Sequence, residues 1–315
     1  MKNTENIKQH LKGPVFSIIT PFDKEENIDF GCLRNYISFL YEGGARKFYV
    51  MGYNSRFSEL SYDEIKSLNQ FVVDECKTID PENIVIVADP LHCSTKVTIQ
   101  FCEHARKIGA DVISLIFREK YYFEEQVYDH YKIVTENTDM PLLVHEMPFT
   151  SGLDGTMIDW PVSLLDKLAD LDNVIAIKED AKNDKYSEEL INLLKDRVSI
   201  IISGGGKERW LKFAGLGCQS WLNGIAAVEP RLAINFYNAY LNGDKEFCMN
   251  LINKIEKPFF NKCVSVYGWH LAIKSALETL NIMPRCERMP MQALPDRNHE
   301  KVKAVIKSLP FSEFN

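Results

Sequence analysis

The feature that most constrains the fold is a regular alternation of short apolar runs with longer stretches of helical period, beginning near residue 14. Near-continuous runs such as IVIVA, PLLVH and NVIAIK are typical of parallel strands that are covered on both faces. The eight runs lie at 15–20, 46–52, 83–89, 111–117, 141–147, 173–179, 198–203 and 219–225. Seven of them follow turn or breaker residues, where a preceding helix would end. Eight such units predict a closed (β/α)8 barrel.

An open, doubly wound sheet gives the same rhythm, but no GxGxxG turn follows the first run. Past about residue 230 the strand pattern stops, and stretches of helical period follow at 231–242, 245–257, 269–280 and 300–309. Pro258 is expected to end the second of these helices. We therefore predict a barrel over residues 1–228 and a helical extension over 229–315, packed on the barrel or in a subunit interface.

Composition narrows the class of protein. The 315 residues carry a formal net charge of −7, which argues against nucleic acid as a partner because phosphate-binding proteins are usually basic. No apolar run approaches the ~20 residues of a membrane span, and the polar N-terminus lacks a secretion signal, so we expect a cytoplasmic protein. The eight cysteines show no CxxC pair and no zinc-ligand spacing, and are expected to be free thiols.

The strongest candidate for chemistry is Lys178, which ends the apolar run VIAI. Active sites of barrels lie at this carboxyl edge of the strands. Removing a lysine from water favours its neutral amine, which can attack a carbonyl carbon and form a Schiff base. The alternative is a structural lysine paired with Glu179 or Asp180. The sequence pattern alone leaves both interpretations open.

His145 ends the preceding run, PLLV, one βα unit before Lys178. The two side chains are therefore expected to meet over neighbouring strand ends. A histidine that titrates near neutrality is suited to move the protons that imine chemistry requires. A histidine bonded only to loop backbone is the alternative. Glu146 follows it and, by strand alternation, is expected to point to the other side of the sheet.

Two turns after predicted strands are candidates for holding an anionic substrate, through side chains or backbone N–H groups. Their residues are Tyr53, Asn54, Ser55 and Arg56 after the second run, and Ser203 and Gly204 after the seventh. Ordinary βα turns explain both sequences equally well. The pair Tyr121-Tyr122, in the loop after the fourth run, is a candidate for lining the same pocket or for packing on the next helix.

From about residue 13 to residue 294, the chain resembles the dihydrodipicolinate synthase and N-acetylneuraminate lyase family of class I aldolases. The resemblance rests on the order and spacing of several motifs. They are GPVFSIITPF at 13–22, Ile28-Asp29, Gly52 with Leu60-Ser61 and Glu64, His130-Tyr131, Pro148 with Gly152, Ile177-Lys178-Glu179, Ser203-Gly204 and RMPM at 288–291. The resemblance implies a barrel with C-terminal helices, a homo-oligomer that is usually a tetramer, Lys178 as the Schiff-base lysine, and no metal or organic cofactor.

The sequence departs from the family pattern around the active site. The family's Tyr-Asn-x-Pro motif is here HEMP at 145–148, so that His145 stands in place of the proton-relaying tyrosine. The hydroxyl-rich turn that holds the substrate carboxylate becomes GYNSR at 52–56, and the arginine that synthases use for a second substrate aligns with Thr150. Arg118 replaces part of a Pro-Tyr-Tyr motif and is expected to bring positive charge to an acid substrate. Asn223, in the eighth run, completes the substrate-binding candidates.

The resulting hypothesis is a divergent Schiff-base lyase or aldolase that acts on pyruvate, another 2-oxo acid or a sugar acid. Lys178 attacks the carbonyl, His145 shuttles protons, and Asn54 with Arg56 or Arg118 holds the carboxylate. Dehydration of a sugar acid begins with the same imine, and the sequence does not separate it from aldol chemistry. The alternative is a barrel without turnover, kept as a ligand-binding or interaction protein, because the tyrosine and the threonine-rich turn are lost together.

Overall fold

Eight parallel strands form a closed barrel. The computed structural model describes residues 4–117, 123–150, 157–204 and 206–315. The barrel strands are β1 (Gly13–Ser17), β2 (Lys47–Tyr49), β3 (Ile84–Ala88), β4 (Val112–Ile116), β5 (Leu142–Glu146), β8 (Val174–Glu179), β9 (Ser199–Ile202) and β10 (Ser220–Leu222). A short antiparallel pair, β6 (Phe149–Thr150) and β7 (Met157–Ile158), follows β5 and lies outside the barrel sheet. The order of the eight barrel strands is β1-β10-β9-β8-β5-β4-β3-β2. This closed order confirms the predicted (β/α)8 barrel and rules out an open sheet.

Helices cover the outside of the strand wall. They are α2 (Phe30–Glu42), α3 (Tyr62–Ile79), α4 (Thr95–Ile108), α5 (Glu124–Glu136), α6 (Val162–Ala169), α7 (Asp184–Leu194) and α8 (Gly206–Ala214). Local sequence sets their ends: Ser61 and Glu64 form a capping box at the start of α3, and Gly109 ends α4 at a φ of 78°. Only glycine adopts such a left-handed conformation at no steric cost.

Successive strand residues face opposite sides of the wall, which explains the continuous apolar runs. In β3, Ile84 and Ile86 pack in the barrel interior, whereas Val85 and Val87 pack against the surrounding helices. Both sides of the strand are therefore buried, as expected where helices cover a parallel sheet. The predicted runs extend past several strands because the loops that follow remain apolar: Ile225, for example, lies in a 3₁₀ turn at Gly224–Ala227.

A short N-terminal helix, α1 (Thr4–His10), closes the amino end of the barrel. Ile7 and Leu11 are buried and pack with the interior strand residues. The carbonyl of Leu11 accepts a 2.6 Å hydrogen bond from Ser220 Oγ at the start of β10, and the carbonyl of Lys8 accepts one from Ser199 Oγ at the start of β9. With this end closed by α1, the interior is open to a ligand from the carboxyl end.

The C-terminal region is helical, as predicted. Its helices are α9 (Arg231–Leu241), α10 (Lys245–Leu251), α11 (Lys257–Phe259), α12 (Ser265–Tyr267), α13 (Trp269–Thr279) and α14 (Asp296–Ser308). The expectation that Pro258 ends a helix was wrong, because the chain stays helical from 245 to 267. Wide π-helical turns at Ile252–Glu256 and Phe260–Val264 flank the proline and accommodate its ring and its missing N–H.

These C-terminal helices pack on the barrel of the same chain. Tyr237 of α9 lies so close to Gly13 that a Cβ atom there would come within 2.8 Å of its ring. Phe236 contacts Trp221 of β10, with ring centroids 5.8 Å apart, and Trp221 in turn contacts Trp210 of α8 at 4.3 Å. The extension therefore shares a core with the barrel helices, while the division at residue 228 stays a prediction.

Candidate functional site

A cavity of about 510 Å³ opens at the carboxyl ends of the barrel strands. Its lining has two parts of different chemistry. The polar part includes Ser17, Asn54, Lys178, Asp180, Ser203 and Asn223, and the apolar part includes Met51, Met147, Leu222, Phe260, Val264 and Trp269. The polar groups come from strand ends and the turns after them, which is where barrel active sites lie.

Lys178 is fully buried in β8 and lines this cavity. Its Nζ lies 2.8 Å from His145 Nε2, 2.5 Å from Asp180 Oδ2 and 3.2 Å from Ser203 Oγ. The register of β5 and β8 sets His145 directly opposite Lys178. The structure thus brings the two residues together as the sequence predicts, and their catalytic roles stay predictions.

Asp180 joins these two residues. The sequence offered its pairing with Lys178 as an alternative, but did not indicate its contact with His145. Its Oδ2 also lies 3.1 Å from His145 Nε2, and its Oδ1 accepts a hydrogen bond from Ser203 Oγ. Burial alone would raise the pKa of Asp180, but the Lys178 ammonium and the bond from His145 outweigh it and hold that pKa well below its usual range. Strand alternation was the available signal, since it places residues 178 and 180 on the same side.

Behind the strand wall, on the side away from the cavity, two further carboxyl groups are buried. Glu146 lies opposite Glu179 in the same register, and its Oε2 accepts a 2.9 Å hydrogen bond from the backbone N–H of Asp180. Glu179 accepts hydrogen bonds from Ser187 of α7 and Arg209 of α8. Burial raises the pKa of Glu146 to about 7 and that of Glu179 to about 8. Glu146 therefore points away from Lys178, as expected.

Ser17, Asn54 and Asn223 form a polar network on the cavity wall, joining β1 to the loops after β2 and β10. Asn54 Nδ2 donates to Ser17 Oγ at 2.8 Å, and Ser17 Oγ donates to Asn223 Oδ1 at 3.3 Å. Asn223 Nδ2 is buried and has no hydrogen-bond partner among the residues described. A ligand oxygen in the cavity would supply the acceptor that this amide lacks. Ser17 was not among the sequence candidates, because a serine at a strand end is common.

The turn after β2 divides into two parts. Tyr53 and Asn54 line the cavity. Ser55 Oγ instead donates to the carbonyl of Ile18 at 2.8 Å, and Arg56, at a φ of 61°, forms an ion pair with Glu59. Neither Ser55 nor Arg56 lines the cavity, and Glu59 engages the guanidinium, so the structure does not favour the prediction that they hold a substrate carboxylate.

Ser203 and Gly204 both line the cavity, as the sequence predicts. Gly204 has a φ of 74°, which a residue with a side chain rarely adopts. The N-terminus of α8 does not present all its N–H groups to this cavity, because the backbone N–H of Lys207 donates to Glu256 at 2.9 Å. The Lys207 and Glu256 side chains also form a buried ion pair of 3.4 Å, which ties α8 to the C-terminal region.

Several sequence candidates cannot be placed. Arg118 and the pair Tyr121-Tyr122 lie outside the described residues, between β4 and α5. The backbone of Thr150 belongs to β6, and the structure does not describe its side chain. Their expected contacts with an acid substrate stay predictions.

The C-terminal region supplies one wall of the cavity, which the sequence patterns did not indicate. Phe260 and Val264 come from one π-helical turn, and Trp269 begins α13. The rings of Phe260 and Trp269 lie 6.1 Å apart. Next to Trp269, His270 Nε2 donates to the carbonyl of Tyr53 at 2.9 Å, which fixes this wall to the turn after β2.

Three further properties concern the described part of the chain. No cluster of three or more histidine, cysteine or acidic side chains suited to a metal ion is found there. All eight cysteines are free thiols, as expected. None of the helices in these residues is both long and apolar enough to cross a membrane.

The fold and the cavity define a (β/α)8 barrel with its polar site at the carboxyl ends of the strands. Residues 10–309 match the Dihydrodipicolinate synthetase family, and the chain belongs to that family. A 4-hydroxy-tetrahydrodipicolinate synthase from Psychrobacter sp. is 25% identical over 306 residues, covering 96% of each protein. One from Archaeoglobus fulgidus is also 25% identical, over 302 residues, covering 95% of this chain and 98% of the relative.

Solved structures show the same fold. A dihydrodipicolinate synthase from Bacteroides thetaiotaomicron is 20% identical and superimposes with a TM-score of 0.83, covering 95% of this chain and 99% of that one. YagE, a prophage protein from E. coli K12 solved in complex with pyruvate, is 19% identical with a TM-score of 0.82 and the same coverage. These similarities place the chain among barrels of this fold.

Proposed function

We propose that this protein is a class I, Schiff-base-forming lyase or aldolase that acts on pyruvate or another 2-oxo acid. The observation that carries the proposal is the position of Lys178 Nζ, buried at a cavity and within 2.8 Å of His145 Nε2. A neutral lysine amine attacks the C2 carbonyl carbon, and the carbonyl oxygen leaves as water. The protonated imine then draws electrons from the C3–H bond in aldol addition, or from the C3–C4 bond of a longer acid in cleavage. Family membership and the pyruvate complex of the similar prophage protein support this chemistry.

Proton transfer in this proposal centres on His145. Nε2 of His145 is the group within reach of Lys178 that ordinarily titrates near neutrality, so it is suited to take the proton that the lysine must lose. Asp180 stays a carboxylate because its pKa lies well below the usual range. We assign it a positioning role: it holds both Lys178 and His145 and stabilises the imidazolium that forms.

The substrate carboxylate in this proposal binds beside Asn223. The unpartnered Nδ2 of Asn223 is a hydrogen-bond donor available on this wall of the cavity, whereas Ser203 Oγ already donates to Asp180 Oδ1. Lys182, an exposed residue that also lines the cavity, adds a positive charge that favours an anionic substrate. Asn54 acts indirectly by fixing Ser17, and through it Asn223.

The test is the intact mass of the protein after incubation with pyruvate and borohydride, alongside a panel of sugar-derived 2-oxo acids. We expect a single reduced adduct on the unaltered protein and none on Lys178→Ala. Lys182→Ala is the matched control, because it removes another lysine from the same cavity and is expected to retain the adduct at saturating concentrations of the acid. An adduct that survives Lys178→Ala, or that maps to Lys182, contradicts the assignment.

A second candidate is a barrel without turnover that binds a ligand or partner. The observation that favours it is the 2.5 Å ion pair between Lys178 and Asp180, because an ammonium group has no lone pair with which to attack a carbonyl. The same trapping experiment separates the two functions. Absence of an adduct with every acid in the panel supports the binding protein and contradicts the lyase.

Two further expectations belong to this proposal. A cytoplasmic location follows from the sequence, and a homo-oligomer, a tetramer or dimer, follows from the family resemblance. The family contains exceptions: a monomeric dihydrodipicolinate synthase variant is 22% identical to this chain with a TM-score of 0.81, covering 96% and 97% of the two chains. Light scattering of the purified protein measures the state directly, and a monomeric mass contradicts the expectation.

A further inference from the structure

The cavity is chemically two-sided. One side carries the reactive and hydrogen-bonding groups of the strand ends, Lys178, Ser203 and Asn223. The other side is the wall formed by Phe260, Val264 and Trp269, which we call the apolar wall. Tyr53, Asp159 and Lys182 line the cavity as well. A substrate held by an imine at Lys178 has its carboxylate and C2 among the polar groups of the strand ends, and the apolar wall is the surface that we assign to the rest of its carbon skeleton.

The apolar wall offers few hydrogen bonds to a ligand. Val264 has no polar side-chain atom, Phe260 presents an aromatic ring, and the polar atom of Trp269 is Nε1, a buried donor with no partner among the described residues. A hydroxyl group that leaves water without finding a new partner costs about 1–3 kcal/mol. An aromatic ring packed edge-on or offset against such rings gains about 0.5–1.5 kcal/mol beyond its burial.

We propose that the arm of the substrate beyond the 2-oxo acid is apolar and best matched by an aromatic ring, rather than a polyhydroxylated chain. This inference rests on the proposed Schiff-base function and adds the class of the second substrate. In the direction of synthesis, the second substrate is an aromatic aldehyde, and the product is a 4-hydroxy-2-oxo acid that carries the ring.

The reaction balances without a further reactant. Lys178 and pyruvate form an imine and release water, and loss of a proton from C3 to the base gives an enamine. C3 then attacks the aldehyde carbon while the aldehyde oxygen takes up a proton, which forms one carbon–carbon bond. Addition of water to the imine releases the product and restores the lysine amine.

The experiment measures kcat/KM for aldol addition of pyruvate to benzaldehyde and to D-erythrose, with pyruvate trapping by borohydride measured in parallel. We expect kcat/KM for benzaldehyde to exceed kcat/KM for D-erythrose by about tenfold or more, because each hydroxyl of the sugar that finds no partner is disfavoured at the apolar wall. Equal values, or a preference for erythrose with the pyruvate adduct intact, overturn the apolar-arm inference and leave the Schiff-base function standing. Absence of the adduct overturns that function and this inference with it.

A pair of matched variants tests whether the apolar wall is responsible. Val264→Thr keeps the shape of the side chain and adds one hydroxyl to the wall, and it is expected to lower the preference for benzaldehyde about fivefold. Val266→Thr is the control, because Val266 is 61% exposed and does not line the cavity. If neither variant changes the preference for benzaldehyde over erythrose, the assignment of the arm to this wall is wrong.

Discussion

The two faces of the strand wall formed by β5 and β8 carry ionisable groups in adjacent registers, and the carboxyl groups on the two faces have pKa values shifted in opposite directions. On the cavity side, His145 and Lys178 surround the carboxylate of Asp180, whose pKa is held well below its usual range. On the helix side, Glu146 and Glu179 lie opposite each other, and their pKa values are raised to about 7 and about 8. All three carboxyl groups are strongly desolvated.

The difference teaches that the closeness of neighbouring cations decides what burial does to an acid. Burial raises the pKa of a carboxyl group by disfavouring its charged form, and a close cation reverses that shift. Asp180 contacts two basic side chains, so it remains ionised. Glu146 contacts a backbone N–H, and Glu179 has Arg209 at the longer distance of 3.4 Å, so burial prevails on that face.

The largest expected effect comes from substituting His145 on the cavity face. His145→Ala removes the proposed proton carrier but leaves the amine of Lys178, so turnover of any 2-oxo acid substrate is expected to fall about 10²–10⁴-fold. Borohydride should still trap pyruvate on Lys178 in this variant. Steady-state kinetics and intact mass measure the two quantities. Turnover that stays within about twofold of the unaltered protein would show that His145 is not a proton carrier.

A smaller effect is expected from Glu146, which reaches the cavity face only through the backbone of Asp180. Glu146→Leu leaves that buried N–H without an acceptor and is expected to lower the free energy of unfolding by about 1–3 kcal/mol. Glu146→Gln keeps an oxygen acceptor and is the matched control. Chemical denaturation measures both, and equal stabilities of the Leu and Gln variants would show that the bond to Asp180 contributes little.

An effect of similar size is a change in the pH dependence of stability at Glu179. Its pKa is raised from 4.5 to about 8, so its contribution to stability is fully present below pH 4.5 and is lost as pH rises towards 8. Each pH unit in that window costs up to about 1.4 kcal/mol. Glu179→Gln cannot ionise and is expected to lose less stability between pH 5 and pH 8. Unfolding midpoints measured across that range test this, and parallel curves for the two proteins contradict it.

Much of the cavity face could be predicted from sequence because the relevant signals are local. Apolar runs with a polar residue at the end mark Lys178 and His145, and the βα order makes them neighbours. The same alternation rule correctly sent Glu146 to the other face. Applied one residue further, it would also have placed Asp180 beside Lys178.

The sequence failed where a contact depended on which of several partners a side chain meets. Arg56 has the right charge and position in the chain for a carboxylate ligand, but a left-handed backbone conformation and Glu59 three residues later direct it elsewhere. Pro258 failed as a helix stop for a similar reason, because the surrounding π-helical turns accommodate it. Local propensities do not specify these outcomes, since tertiary packing selects among them.

By itself, the sequence determined the barrel, the carboxyl edge at which the cavity opens, and the lysine and histidine on that edge, because these follow from the periods of strands and helices. The tertiary structure decided the shape and polarity of the cavity. It brought Phe260 and Trp269 over strand ends that lie far away in the chain, and it closed β1 against β10 so that Ser17 meets Asn223. Periodicity is a local property, whereas contacts between distant residues depend on how the whole chain packs.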